Sequence, residues 1–138
     1  MTVDSIQNGY VIDHIEAGKA MDIYKALGLE DLDCSVAILI NVPSSKMGTK
    51  DIIKIDKLIK LDFTTLGYID PGITINTITN GGVQKRRMEL PLELTDVLKC
   101  TNPRCITSVE QELPQRFKLT DPVKRVYRCI YCEQEAER

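Results

Sequence analysis

Hydrophobic positions along this chain switch between strand-like and helix-like spacing, and the order of the switches predicts the fold. Gly9 to Glu16 is rich in β-branched and aromatic residues, which suit a pleated, half-buried surface, so it predicts a strand. Ala20, Met21, Tyr24 and Leu27 then recur at i, i+1, i+4 and i+7. That is one apolar stripe on a helix over residues 17–27, with Gly28 as its stop. Cys34 to Val42 is almost continuously apolar, the pattern of a buried central strand; within it Cys34 reads as a small buried hydrophobe. Pro43 to Gly48 reads as a turn and residues 50–58 as the next strand. Phe63 to Ile69 predicts a short helix ended before Pro71. Ile73 to Thr79 predicts a strand, Asn80-Gly81-Gly82 a hairpin turn, and residues 83–88 its partner.

The resulting order is β-α-β-β-α-β with one added strand. It predicts an α+β fold: a ferredoxin-like antiparallel sheet with two helices on one face. The extended stretch Leu90 to Leu94 reads as a hinge to a second, small all-β domain, giving domains 1–94 and 95–138. No internal repeat or low-complexity tract interrupts this plan. No apolar run is long enough to cross a bilayer, which points to a soluble protein. Met1 to Ser5 lacks the basic start of a secretory leader and no apolar run follows. The expected compartment is therefore cytoplasmic, where thiols stay reduced.

Reduced thiols matter because four cysteines crowd the second domain. Cys100 and Cys105 form C-x4-C, Cys129 and Cys132 form C-x2-C, and 23 residues separate the pairs. Two close pairs joined by a loop can place four thiolates at the corners of a tetrahedron, the ligand set of a closed structural zinc site. Such a site organises a domain too small for an adequate core and leaves no open position for catalysis. Two disulfides, or an iron centre of rubredoxin type, would use the same residues.

Charge adds little for nucleic acid. The net charge is -2 and Trp is absent, so neither a polyanion-binding field nor a base-stacking platform is indicated. Residues 1–94 hold 10 Lys/Arg against 13 Asp/Glu, so the first domain is acidic overall. Within Arg116 to Arg128, five cations face only Asp121; a solvated loop and strand accounts for them, and a zinc-ribbon nucleic-acid-binding module is the alternative. Catalytic arrangements are scarce. His14 is the single histidine, and its neighbour Asp13 would point to the opposite face of a regular strand. Ser44 to Lys50 contains Gly, Lys and Thr but misses the phosphate-loop spacing. A non-catalytic binding site is easier to assemble: Lys50 and Lys54 share a strand face, and Lys85, Arg86 and Arg87 cluster on another strand. These groups could converge on phosphates, with His14 adding a donor. Composition alone favours the plainer reading, lysines that keep a sheet edge from aggregating.

Several strings occur in one order along the whole chain. They are Val11-Ile12-Asp13-His14-Ile15; Pro43-Ser44 followed by Met47-Gly48 and Lys50-Asp51-Ile52-Ile53-Lys54-Ile55; Asn76 within Thr74 to Ile78; and the cysteine knuckles Cys100 to Ile106 and Cys129 to Glu133. Together they resemble the regulatory chain of aspartate carbamoyltransferase. The resemblance implies a non-catalytic chain of pyrimidine biosynthesis. Its N-terminal allosteric domain would bind the nucleoside triphosphates CTP, ATP and UTP. Its zinc domain, with one structural ion held by Cys100, Cys105, Cys129 and Cys132, would dock on the catalytic chain. Two regulatory chains would pair through their allosteric domains inside a larger hetero-oligomer. Carried over position by position, Ile6 would sit near the base, and Val11 and Asp13 would border the ribose, Asp13 accepting its hydroxyls. His14, Lys54 and Lys85 would meet the triphosphate, with Lys50 and Asn76 nearby and Val83 in backbone or apolar contact. Family members often carry a tyrosine in the hairpin where this chain has Gly81, and the hairpin here is one residue shorter before Lys85.

Overall fold

The computed structural model describes residues 6–137, so the leader reading of Met1 to Ser5 lies outside the described residues. The chain divides into two compact units between Glu89 and Leu90. In the first, the order is β1 (Gly9–Glu16), α1 (Ala20–Ala26), a 3-10 turn (Leu29–Asp31), β2 (Val36–Ser44), β3 (Gly48–Ile55), α2 (Phe63–Ile69), β4 (Thr74–Thr79) and β5 (Gly82–Arg87). The strands lie in the order β2-β3-β1-β4-β5, every neighbour antiparallel. This is the predicted ferredoxin-like sheet with β5 added outside β4.

Alternation explains which face is covered. Tyr10 and Ile12 on β1 pair with Ile55 and Ile53 on β3 and with Thr77 and Ile75 on β4. Directly opposed residues share a face, and this face packs against Ala20 and Ile23 of α1 and Leu66 of α2. Ile12, Ile15, Ile23, Ile53, Ile55, Leu66, Ile73 and Ile75 are wholly shielded from solvent. Each contributes about 1.5–3 kcal/mol by the apolar area it removes from water. Asp62 caps α2, its carboxylate accepting from the Thr65 N–H at 3.0 Å and the Thr65 hydroxyl at 2.6 Å. The β4–β5 hairpin turns through Asn80 and Gly81, whose φ angles of 49° and 81° are those of a two-residue primed turn.

Two sequence expectations give way here. The inward face of α1 holds Ala20 and Ile23, both buried, with Tyr24 and Leu27 packed against the core as expected, while Met21 departs from the expected stripe and is 43% exposed. The helix begins at Ala20 rather than at residue 17, and Ile23 takes the inward place expected of Met21. Secondly, most of the apolar run 34–42 lies in β2 at the edge of the sheet, not in a central strand: among the described residues β2 pairs with β3 alone, and Ile40 is 53% exposed. A continuous apolar sequence does not report a neighbour on both edges.

The second unit holds β6 (Glu93–Thr95), α3 (Ile106–Val109), β7 (Arg116–Asp121) and β8 (Val126–Cys129). Its antiparallel sheet has the order β6-β7-β8, a small ribbon like the one anticipated, with one added helical turn. Leu94, Phe117 and Tyr127 are its large buried side chains. The stretch read as a hinge belongs to this unit: Glu93, Leu94 and Thr95 pair with Lys118, Phe117 and Arg116. The Leu119 N–H also donates to the Leu92 carbonyl at 2.9 Å. Backbone pairing thus moves the boundary five residues toward the N-terminus of the position expected. Among the described residues no helix is long and apolar enough to cross a membrane.

Candidate effector face and metal centre

The face of the first sheet opposite the helices carries a row of chemistry. Lys54 on β3 lies opposite Val11 on β1, Val11 opposite Asn76 on β4, and Asn76 opposite Lys85 on β5. Four of the anticipated residues thus stand side by side across four strands, spanning three interstrand gaps or about 14 Å of backbone. In the adjacent row, Gly9 lies opposite Ile78, and Ile78 opposite Val83. The Ile6 side chain comes within 2.9 Å of where a Cβ on Gly9 would stand. Ile6 and Val83 therefore form an apolar end beside the polar row.

On the other side of the row, β1 breaks its alternation. Ile12 pairs with Ile53 but Ile15 pairs with Asp51, so Asp13 and His14 together face the single residue Ile52. This is a β-bulge, and His14 takes φ 58°. The expectation that Asp13 and His14 point to opposite faces fails for this reason. The Asp13 carboxylate accepts from the His14 N–H at 2.6 Å and pairs with the Lys50 ammonium at 3.0 Å. The His14 ring shares a 2.8 Å hydrogen bond between Nδ1 and the Thr74 hydroxyl. Burial works to raise the Asp13 pKa, but the Lys50 hydrogen bond, the His14 N–H and the charges of both neighbours outweigh it, leaving the carboxyl below its ordinary value.

Lys50 is thus already neutralised, whereas no ion pair among the described residues engages Lys54 or Lys85. The predicted Lys85-Arg86-Arg87 cluster divides between faces. Arg86, opposite Ile75, turns to the helix side and lies 4.4 Å from the centre of the Phe63 ring. Arg87 is opposite Thr74 and stays with Lys85. A cavity of about 570 Å³ opens beside the row, lined by His14, Lys46, Thr74, Lys85 and Arg87 among others. Lys46 was not singled out in the sequence; it sits in the β2–β3 turn, and no local pattern tells a turn lysine from any other.

In the second unit the four sulfurs of Cys100, Cys105, Cys129 and Cys132 lie within 4.8 Å of one another. Cys100 and Cys132 are 3.6 Å apart, Cys105 and Cys129 3.7 Å, and all are free thiols. A tetrahedral ion with zinc–sulfur bonds of about 2.3 Å requires sulfurs about 3.8 Å apart, so the donor set fits the metal and not two disulfides. Surrounding groups already bias the thiols. The Thr107 hydroxyl donates to Cys105 Sγ at 3.1 Å and is the main cause of its lowered pKa. Burial pushes Cys100 up to about 12 and also raises Cys129. At Cys132 burial is outweighed by the Gln134 N–H, the Asn102 side chain and the neighbouring thiols, which bring it to about 7. Four thiolates this close repel unless a cation sits between them, and one structural zinc supplies that charge while leaving no open coordination position.

Comparison with known proteins gives both units the same parentage. Residues 1–89 match the family model for the aspartate carbamoyltransferase regulatory chain, allosteric domain, and residues 92–138 match its metal binding domain. The chain belongs to the aspartate carbamoyltransferase regulatory chain family. The regulatory chain of Clostridium botulinum strain Hall is 49% identical over 135 residues, covering 97% of this chain and 92% of the relative. That of Clostridium tetani is 49% identical over 136 residues, covering 97% and 94%. That of Bifidobacterium longum is 36% identical over 138 residues, covering 99% of each. A regulatory chain thus carries an allosteric unit with an uncovered, cation-bearing face and a metal-binding unit closed by four cysteines.

Proposed function

We propose that the open face of the first sheet binds nucleoside triphosphates (CTP, ATP or UTP) as allosteric effectors, and that the chain performs no catalysis itself. The observation that carries this reading is the row Lys54–Val11–Asn76–Lys85, with cations at both ends that no carboxylate among the described residues pairs with. Ammonium groups suit a polyphosphate whose burial would otherwise be costly. The free edge of Asp13 is an acceptor for ribose hydroxyls, and Ile6 with Val83 offers an apolar seat for a base. Arg87 extends the positive side into the neighbouring cavity, and His14 adds a ring nitrogen there. Gly81 occupies the hairpin where a side chain would otherwise reach the base, so recognition there falls to backbone groups.

The unpaired edge of β2 supports the pairing of two regulatory chains. Its apolar residues 36–40 end in a row of unused backbone donors and acceptors, which a second copy can take up. The metal-binding unit exposes Leu92 at 78% and Val109 at 76%, apolar surface suited to docking on the catalytic chain. Effector binding would then act through its differential affinity for two states of the assembly, typically a coupling of about 1–3 kcal/mol.

Calorimetric titration of the zinc-loaded chain with each nucleotide tests the reading. Lys54→Ala should weaken binding by one to two orders of magnitude, since a charged hydrogen bond contributes about 1.5–3 kcal/mol. Arg86→Ala, on the helix side, should leave affinity unchanged. Absence of binding by the unaltered chain, or equal loss in both variants, would overturn the assignment.

A further inference from the structure

We infer that Asp51, which touches no part of the open face, is the positioning residue that holds the effector site together and ties it to the β2 edge. The inference rests on the effector reading above. Asp51 lies on the interior strand β3, between β2 and β1, with none of its surface exposed. One carboxylate oxygen accepts the N–H groups of Gly18 and Ala20 at 2.9 and 3.3 Å; the other accepts the Asn41 N–H at 3.1 Å. Those donors come from the segment following β1 and from β2, the strands on either side.

Both flanking strands are irregular at this point. β1 places Asp13 and His14 opposite Ile52. β2 places Ile40 and Asn41 opposite Asp51, because Leu39 pairs with Ile52 and Val42 with Lys50. His14 and Asn41 have nearly the same left-handed φ, 58° and 59°, a conformation non-glycine residues seldom take without support. Asn41 is held by Asp51 directly. His14 is held by the Asp13 carboxylate, itself fixed by Lys50, the residue before Asp51. The pair Lys50–Asp51 therefore clamps one bulge from each face of β3. A ligand that moves Lys50 or His14 pulls on the strand segment that also fixes Asn41.

Substituting Asp51→Asn changes one oxygen to a donor nitrogen, so either the Asn41 N–H or the Gly18 and Ala20 pair is met donor to donor. The experiment is a titration of the full-length, zinc-loaded chain with ATP, read by calorimetry and by amide resonances. In the unaltered chain, saturation should shift the Asn41 amide resonance and slow its hydrogen exchange, although β3 stands between it and His14. In Asp51→Asn, affinity should fall at least tenfold and the Asn41 response should vanish. A residue that merely stabilised the fold would lower the melting temperature and leave that response in place, an outcome that overturns the inference. Wild-type affinity in a folded Asp51→Asn chain also overturns it. Should the variant fail to fold, the unaltered chain still decides, because ATP binding with an unmoved Asn41 amide removes the coupling while sparing the effector assignment. No ATP binding at all would remove both.

Discussion

Removing the metal should unfold the second unit and leave the first intact. The perturbation is exhaustive chelation of the reduced chain, or Cys129→Ala, which deletes a buried ligand. Three large side chains, Leu94, Phe117 and Tyr127, are almost fully buried in that unit. At about 1.5–3 kcal/mol each they contribute roughly 5–9 kcal/mol. Structural zinc supplies on the order of 10–16 kcal/mol of apparent binding free energy, as much as the packed side chains or more. The metal therefore decides whether the unit folds.

Hydrogen exchange resolves the two units separately. In the metal-loaded chain the N–H groups of Cys129, bonded to the Gln134 carbonyl at 3.0 Å, and Ala136, bonded to Tyr127 at 2.7 Å, should exchange slowly, as should Leu119. After chelation all three should exchange at the rate of an open chain, while the Ile12, Ile53 and Ile75 amides keep their protection. Returning one equivalent of zinc should restore the first group. Slow exchange persisting at Cys129 and Leu119 without metal would refute the reasoning, and simultaneous loss in both sheets would contradict their independence.

Two further perturbations probe the open face. Asp13 is held below its ordinary carboxyl value, so its pairing stabilises the fold above the unfolded pKa of about 4 and is lost as pH falls through the lower folded value. Lys50→Met should shift the Asp13 carbon-13 titration midpoint upward, and an unchanged midpoint would show that Lys50 does not hold the carboxylate. Gly9→Ala should destabilise the first unit by about 1–3 kcal/mol in urea unfolding, because the new methyl would collide with the Ile55 carbonyl and crowd Ile6; an unaltered midpoint would mean that the sheet can yield there.

How much of this was legible in the sequence depends on what each pattern encodes. The strand at Gly9–Glu16, the helix at Phe63–Ile69 and the Asn80–Gly81 turn were readable because local residues set them. The edge position of β2 was not, since the apolar string Val36 to Ile40 says nothing about which backbone lies beside it. The four cysteines were readable as a unit because their spacing carries the geometry. The row on the open face was only half readable. Lys50 and Lys54 share a face by simple alternation, but the alignment of Lys54, Val11, Asn76 and Lys85 follows from pairing register.

Alternation itself misled at one place, and the reason is instructive. A period of two holds only while each residue opposes one partner. At Asp13 and His14 two residues oppose one, so a pair that strict alternation would separate arrives together where a polyanion is expected. The signal was present in a neighbour rather than in the pair: Asp51, a carboxylate on the same buried strand face as Ile53 and Ile55, needs donors that a regular ladder cannot spare. The segment after β1 supplies the Gly18 and Ala20 N–H groups, and the irregular β2 supplies that of Asn41. A buried carboxylate in a strand is therefore a reason to expect a bulge beside it, and with the bulge, a site.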